Sequence, residues 1–191
     1  MTKTQLPGPS RVIFTILLGG AIFFAWNAFS WMALPFHSNS LRSLPEGAIQ
    51  MDSMQSLLPT DGVYHFPGVP ETAEDRATIE QQLNRGPRIT LMVYKSGPTS
   101  FWNPMTFVWS LLLNLLTVGL TLLIIARINP KTFKSILGSC LLIGIVIGVM
   151  ADFGQMNWYL VPLDYTLANV IDRVVPFGLL GVLLGTYTFK S

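Results

Sequence analysis

The sequence predicts a mostly α-helical integral membrane protein: four transmembrane helices, with a small extracytoplasmic α+β cap between the first and the second. Three observations predict it. The chain is 50% hydrophobic and only 12% charged, where a soluble domain carries about 25% charged residues. Residues 105–126 (MTFVWSLLLNLLTVGLTLLIIA) form a run of 22 without a charged side chain. At about 1.5 Å rise per residue, such a run crosses the ~30 Å hydrocarbon core of a bilayer. RINPKTFK follows directly, with three positive charges and no negative one, the signature of a cytoplasmic turn.

Taken in order, residues 1–11 are a short polar arm on the cytoplasmic side, with Lys3 and Arg11. Residues 12–35 are the first transmembrane helix, charge-free, with Asn27 as its one strongly polar residue. A secretory signal would have a shorter apolar core and end at small residues. This run is longer and ends in WMALPFH, so an uncleaved helix is expected.

Residues 36–103 are the only sizeable polar segment and are assigned to the cap. Within it, residues 45–58 place Ala48, Met51, Met54 and Leu58 at helical spacing. GVYHF (62–66) and RITLMVYK (88–95) read as strands. Between them, Thr72-x-x-Asp75 resembles a capping box and Gly86-Pro87 a helix stop. Strand, helix, strand in this order predicts a βαβ-like unit. Two strands bury little area, so the cap is expected to lean on the membrane helices or on a partner.

Residues 104–126 are the second helix, and 127–134 the basic turn. The third helix is expected over 135–151, a short apolar run at the lower limit for spanning. Cys140, Gly144, Gly148 and Asp152 lie four apart on it, and small residues at that spacing let helices approach closely. Residues 152–165 read as an irregular, aromatic interfacial loop, and 166–189 as the fourth helix, kinked near Pro176. With both termini cytoplasmic, the inner side holds Lys3, Arg11, Arg127, Lys131, Lys134 and Lys190 and no acid. All five tryptophans (Trp26, Trp31, Trp102, Trp109 and Trp158) then fall in the outer half.

The second helix carries Thr106, Ser110, Asn114, Thr117 and Thr121 within one arc, a polar seam expected to face other helices. Asn27 and Asn114 are expected to hydrogen-bond between helices. Asp172-Arg173 falls inside the fourth helix, where charges are costly and face a bundle interior or water. It reads either as a proton or ligand site or as a solvated pair at the interface. Because polar groups at membrane depth avoid lipid, Asn27, Asn114, Asp152, Asp172 and Arg173 are expected to converge on one polar site. His37, Trp158 and Tyr159 are expected at its rim. His37 and His65, the only histidines, otherwise read as ordinary residues at the membrane exit and on a strand.

The sequence contains no HExxH, GxSxG, phosphate loop, dinucleotide fingerprint or CxxC. That weighs against an enzyme, and no catalytic residue, cofactor or metal is expected. The single cysteine, Cys140, excludes an intramolecular disulfide. No basic stripe points to nucleic acid.

Two stretches carry a resemblance: FFAWNAFSWMALPFHSNSLRSL at the end of the first helix and DFGQMNWYLVPLDYTLANVIDR before the fourth, with GVYHFP between them. Together they resemble a family of small uncharacterised bacterial inner-membrane proteins with Trp-x-x-Leu-Pro-aromatic-His early and an aromatic-rich segment with tryptophan and asparagine late. The likeness covers nearly the whole chain. It departs at Phe36, where tryptophan is expected, and in the single Asn157-Trp158. It implies an architecture and a bacterial inner-membrane location, and no reaction.

The leading expectation is an accessory or scaffold subunit that meets a membrane-protein partner, or a second copy, through its helix seams and cap. The alternatives are a small transporter or channel-like element using the polar site, and a membrane enzyme acting on a lipid or quinone.

Overall fold

α1 runs over Pro9–Ala33 with Pro9 in its first turn, where the missing N–H costs nothing. It stops because Leu34 precedes Pro35 and is held extended, at φ −93° and ψ 140°. Pro35 then starts the short helix α2, Pro35–Ser40. This computed structural model describes residues 7–43, 51–100 and 102–189, without the side chains of 51 and 52. The expectations for residues 1–6, for Ala48 and the Met51 side chain, and for Lys190 lie outside the described residues.

The chain divides into two units, residues 1–42 with 102–191, and residues 43–101. In the smaller unit, α3 covers Met51–Leu57, β1 Gly62–Phe66, α4 Ala73–Arg85 and β2 Ile89–Tyr94. α4 begins with a complete capping box between Thr72 and Asp75 and ends at Gly86, whose φ of 58° suits glycine. β1 and β2 pair antiparallel, with Val63 opposite Val93 and Tyr64 opposite Met92. A βαβ unit would pair them in parallel, and that expectation is corrected. A parallel crossover needs a helix packed over the sheet, and α4 has no buried residue with which to cover it.

In the larger unit, α5 spans Pro104–Ile128. Its N-cap Asn103 accepts a hydrogen bond from the Met105 N–H at 3.0 Å, and Asn129 closes it in the left-handed region. α6 spans Phe133–Ile147, capped by the Thr132 hydroxyl. It does not end near Ala151. A π-helical segment, Gly148–Phe153, carries it into α7, Gly154–Tyr159, giving one apolar span over Phe133–Tyr159. The expected loop over 152–165 therefore shrinks to three residues after Leu160 turns left-handed at φ 56°, because the next helix starts early. α8 covers Leu163–Leu183 and continues through a second π-helical segment, Leu184–Thr188.

Four helices are thus long and apolar enough to cross a membrane: Pro9–Ala33, Pro104–Ile128, Phe133–Tyr159 and Leu163–Thr188. α1 packs on both α5 and α8, and α8 also packs on α6. Glycines set the approach. A Cβ at Gly144 would stand 2.9 Å from the Arg173 carbonyl oxygen, and one at Gly181 would stand 3.0 Å from the Leu137 Cα. The α6–α8 contact is therefore backbone against backbone. On α1, a Cβ at Gly19 would meet Val118, and one at Gly20 would meet Leu115. The core is apolar, with Phe23, Val118, Leu122, Ile125, Ile136, Cys140, Phe177, Leu180 and Leu184 buried together.

Candidate functional site

A carboxylate lies inside this bundle. Asp172 sits nine residues into α8, about two and a half turns from its start, and it is buried. Its oxygens are shared among three donors from the end of α1 and from α2. Trp26 donates its Nε1–H to Oδ1 at 3.1 Å, and the Ser30 hydroxyl donates to the same oxygen at 2.5 Å. His37 Nε2 lies 2.8 Å from Oδ2 and 3.1 Å from the Ser30 oxygen. Trp26 and Ser30 are four apart on one helix face, so both reach the same acceptor. Pro35 is why His37 gets there. It ends α1 and starts α2, and α2 packs on α8.

His37 is 1% exposed. Its ring stacks on Trp31, with centroids 4.0 Å apart and planes 12° from parallel. Its other nitrogen, Nδ1, is buried without a partner. This corrects the expectation that His37 is a rim residue at the membrane exit. The arrangement is not a nucleophile relay. Both the Ser30 hydroxyl and His37 Nε2 converge on Asp172, so the imidazole does not stand between serine and carboxylate as a general base would.

Next to this cluster is a cavity of 170 Å³ lined by Phe23, Asn27, Asn114, Thr117, Ile147, Asp172, Arg173 and Phe177. The structure thus brings together four of the residues named from the sequence: Asn27, Asn114, Asp172 and Arg173. Asp152 joins them through Arg173, whose Nε lies 3.4 Å from Asp152 Oδ2. Asp152 is buried and sits in the π-helical segment, a local widening that recurs at functional sites. Arg173 is 43% exposed, so this pair is partly screened.

The other two expected rim residues do not line the cavity. Trp158 is 76% exposed and Tyr159 is also exposed, both on α7. The expected interhelical hydrogen bonds of Asn27 and Asn114 are not made among the described residues. Asn114 Nδ2 is buried without a partner, and among the described residues no hydrogen bond joins Asn114 to Asn27. The polar seam of α5 is also largely self-satisfied. The Thr117 hydroxyl donates to the Leu113 carbonyl and that of Thr121 to the Thr117 carbonyl, both at 2.8 Å. Of the seam, Asn114 and Thr121 are buried and Thr106 is exposed.

Trp26 and Ser30 are the cluster residues that sequence reading missed. A weak signal existed: two hydrogen-bond donors four apart, just before a proline that ends their helix. Comparison of the chain with known protein families, with curated proteins and with solved structures finds no match. The fold defines the class, a mostly helical protein with four helices apolar enough to span a membrane.

Proposed function

We propose that the chain is a small transporter or channel-like element of the bacterial inner membrane, with both termini cytoplasmic, whose polar site handles a proton through Asp172 and His37. The observation that carries the reading is the buried contact of His37 Nε2 with Asp172 Oδ2 at 2.8 Å, beside a polar cavity. Ionisable groups at membrane depth are costly to keep and commonly serve a pathway. Asp172 accepts from donors on two other elements, so a change in its charge would be felt by α1, α2 and α8 together. Pro176 contributes as well. Lacking an N–H, it leaves the Asp172 carbonyl without the usual helix bond and adds an acceptor at the same level.

The test uses the full chain in liposomes with an imposed membrane potential and an internal pH dye. Proton flux is expected, and Asp172→Asn should abolish it while the protein keeps a cooperative melt. A native chain that moves no protons sinks this reading. The orientation rests on the basic 127–134 turn and the acid-free inner side. In a Cys140→Ser background, a cysteine replacing Thr78 should label from outside intact cells and one replacing Thr132 only after permeabilisation. The reverse pattern overturns the assignment.

One observation favours a second reading, an accessory subunit that binds a membrane partner. In the 43–101 unit, Val63 and Val93 face each other across the strands and are 65% and 78% exposed, with Leu91 also exposed on that side. A defined complex that co-purifies with the full chain at native expression level supports this reading, and its absence counts against it.

A further inference from the structure

The cavity beside Asp172 has an uneven wall. Of its eight lining residues, Phe23, Ile147 and Phe177 have side chains of carbon only. Among the five polar lining residues, part of the hydrogen-bonding capacity is already used. The Thr117 hydrogen goes to Leu113, the Asp172 oxygens receive Trp26, Ser30 and His37, and Arg173 is shared with Asp152. Besides the partly exposed Asn27 amide and the remaining Arg173 N–H groups, one fully buried donor is left over. Asn114 lines the cavity and is 8% exposed, and its Nδ2 has no partner within the protein. A buried amide without a partner carries a desolvation cost that a bound acceptor removes.

The surroundings also limit the charge of that acceptor. Asp172 lines the cavity and Asp152 lies behind Arg173, which disfavours an anion. Arg173 itself lines the cavity and disfavours a cation. A water needs two to four polar partners, which the five polar lining residues offer and Phe23, Ile147 and Phe177 do not offer to the part of the cavity they line. A single oxygen carried on an apolar body fits the wall better, because the oxygen takes the amide hydrogen and the body lies against the aromatic rings.

We infer that this cavity binds a neutral molecule bearing a carbonyl oxygen on an apolar body, with the Asn114 amide as its donor. Two sources share this chemistry, a quinone ring and the ester carbonyl of a lipid. The inference concerns the site proposed above for proton handling but does not depend on flux. It is read as binding, with no gradient imposed, and through a residue outside the Asp172–His37 contact.

The experiment takes the full chain, purified and stripped of lipid in detergent. A short-tailed benzoquinone and a short-chain diacyl phospholipid are titrated separately, and the melting temperature is followed. A saturable rise with one of them is expected. The quinone alone acting identifies the ring, and the phospholipid alone acting identifies the ester. Asn114→Leu removes the donor and should weaken that binding about five- to tenfold, the worth of one hydrogen bond to a neutral acceptor. Ile147→Phe fills the apolar side with Asn114 untouched and should weaken it as well. That second variant keeps the test decisive if the first fails to fold. No saturable rise with either probe, or undiminished binding in both variants, overturns the inference.

Discussion

Among the described residues of the helical unit nine polar or charged side chains are buried, including Thr15, Ser30, His37, Asp152, Asp172 and Thr188. In the 43–101 unit the only buried residue among those described is Pro67. The first region has the interhelical area to withdraw polar groups, and it pairs them across long sequence distances. Thr15 meets Thr188 at 2.9 Å, and His37 meets Asp172. The second region satisfies its polar groups locally or at its surface. The Tyr64 hydroxyl donates to the Thr60 carbonyl, and Asp61 accepts from the Ser96 N–H and hydroxyl and from Lys95. Meanwhile its valines stay exposed. The contrast shows that a buried polar group is a product of packing area. Helices that touch along their length can bury a carboxylate among its donors, whereas beside two strands Asp61 has its donors but stays exposed.

The largest effect expected from breaking this contrast is at Asp172. Asp172→Leu leaves the buried Ser30 and His37 and the half-buried Trp26 without their acceptor. Loss of one member of a buried charged network costs about 3–5 kcal/mol, so the melting temperature in detergent should fall steeply. Asp172→Asn keeps an acceptor oxygen and should cost about 1.5–3 kcal/mol. Equal, small effects for both would mean that the cluster is not holding α1, α2 and α8 together.

A middle-sized effect is expected at the glycine contacts. The Gly144→Ala methyl would have to displace the Arg173 carbonyl region, and overpacking of this kind costs about 1–3 kcal/mol. Gly138, on the same helix, has nothing within 4 Å of its Cβ position. Gly138→Ala should therefore be neutral or mildly stabilising by the same melt. Similar losses at both positions would show that helix propensity, rather than close approach, governs α6.

The smallest effect sharpens the other side of the comparison. Hydrogen bonds from Lys95 and then Ser96 hold the Asp61 carboxyl well below its ordinary value of 3.8. Its contribution is therefore present above that ordinary value and lost as pH falls toward the depressed folded one. Amide exchange at Ser96 should quicken relative to Asp61→Asn controls only below about pH 4. The carboxylate is solvent-exposed, so global melting should not follow it.

The spans were legible because charge-free runs are local. The caps at Asn103, Asn129 and Thr132, which the expected bounds did not use, fix the helix ends in the structure. The continuation of the third span past Asp152 was not legible, since a π-helical widening lets a helix carry a carboxylate that the pattern reads as a boundary. Antiparallel strand pairing was equally hidden, because nothing local says whether α4 covers the sheet.

The sequence by itself placed Asp172 inside an apolar helix and left open whether it finds partners in the bundle or is solvated at the interface. Only the tertiary structure decided that the partners are Trp26, Ser30 and His37. That choice depends on the depth and rotation of α8 against α1, which glycine contacts at Gly19, Gly144 and Gly181 and the filled core around Leu180 set jointly. No spacing within either helix encodes such a relation between two of them.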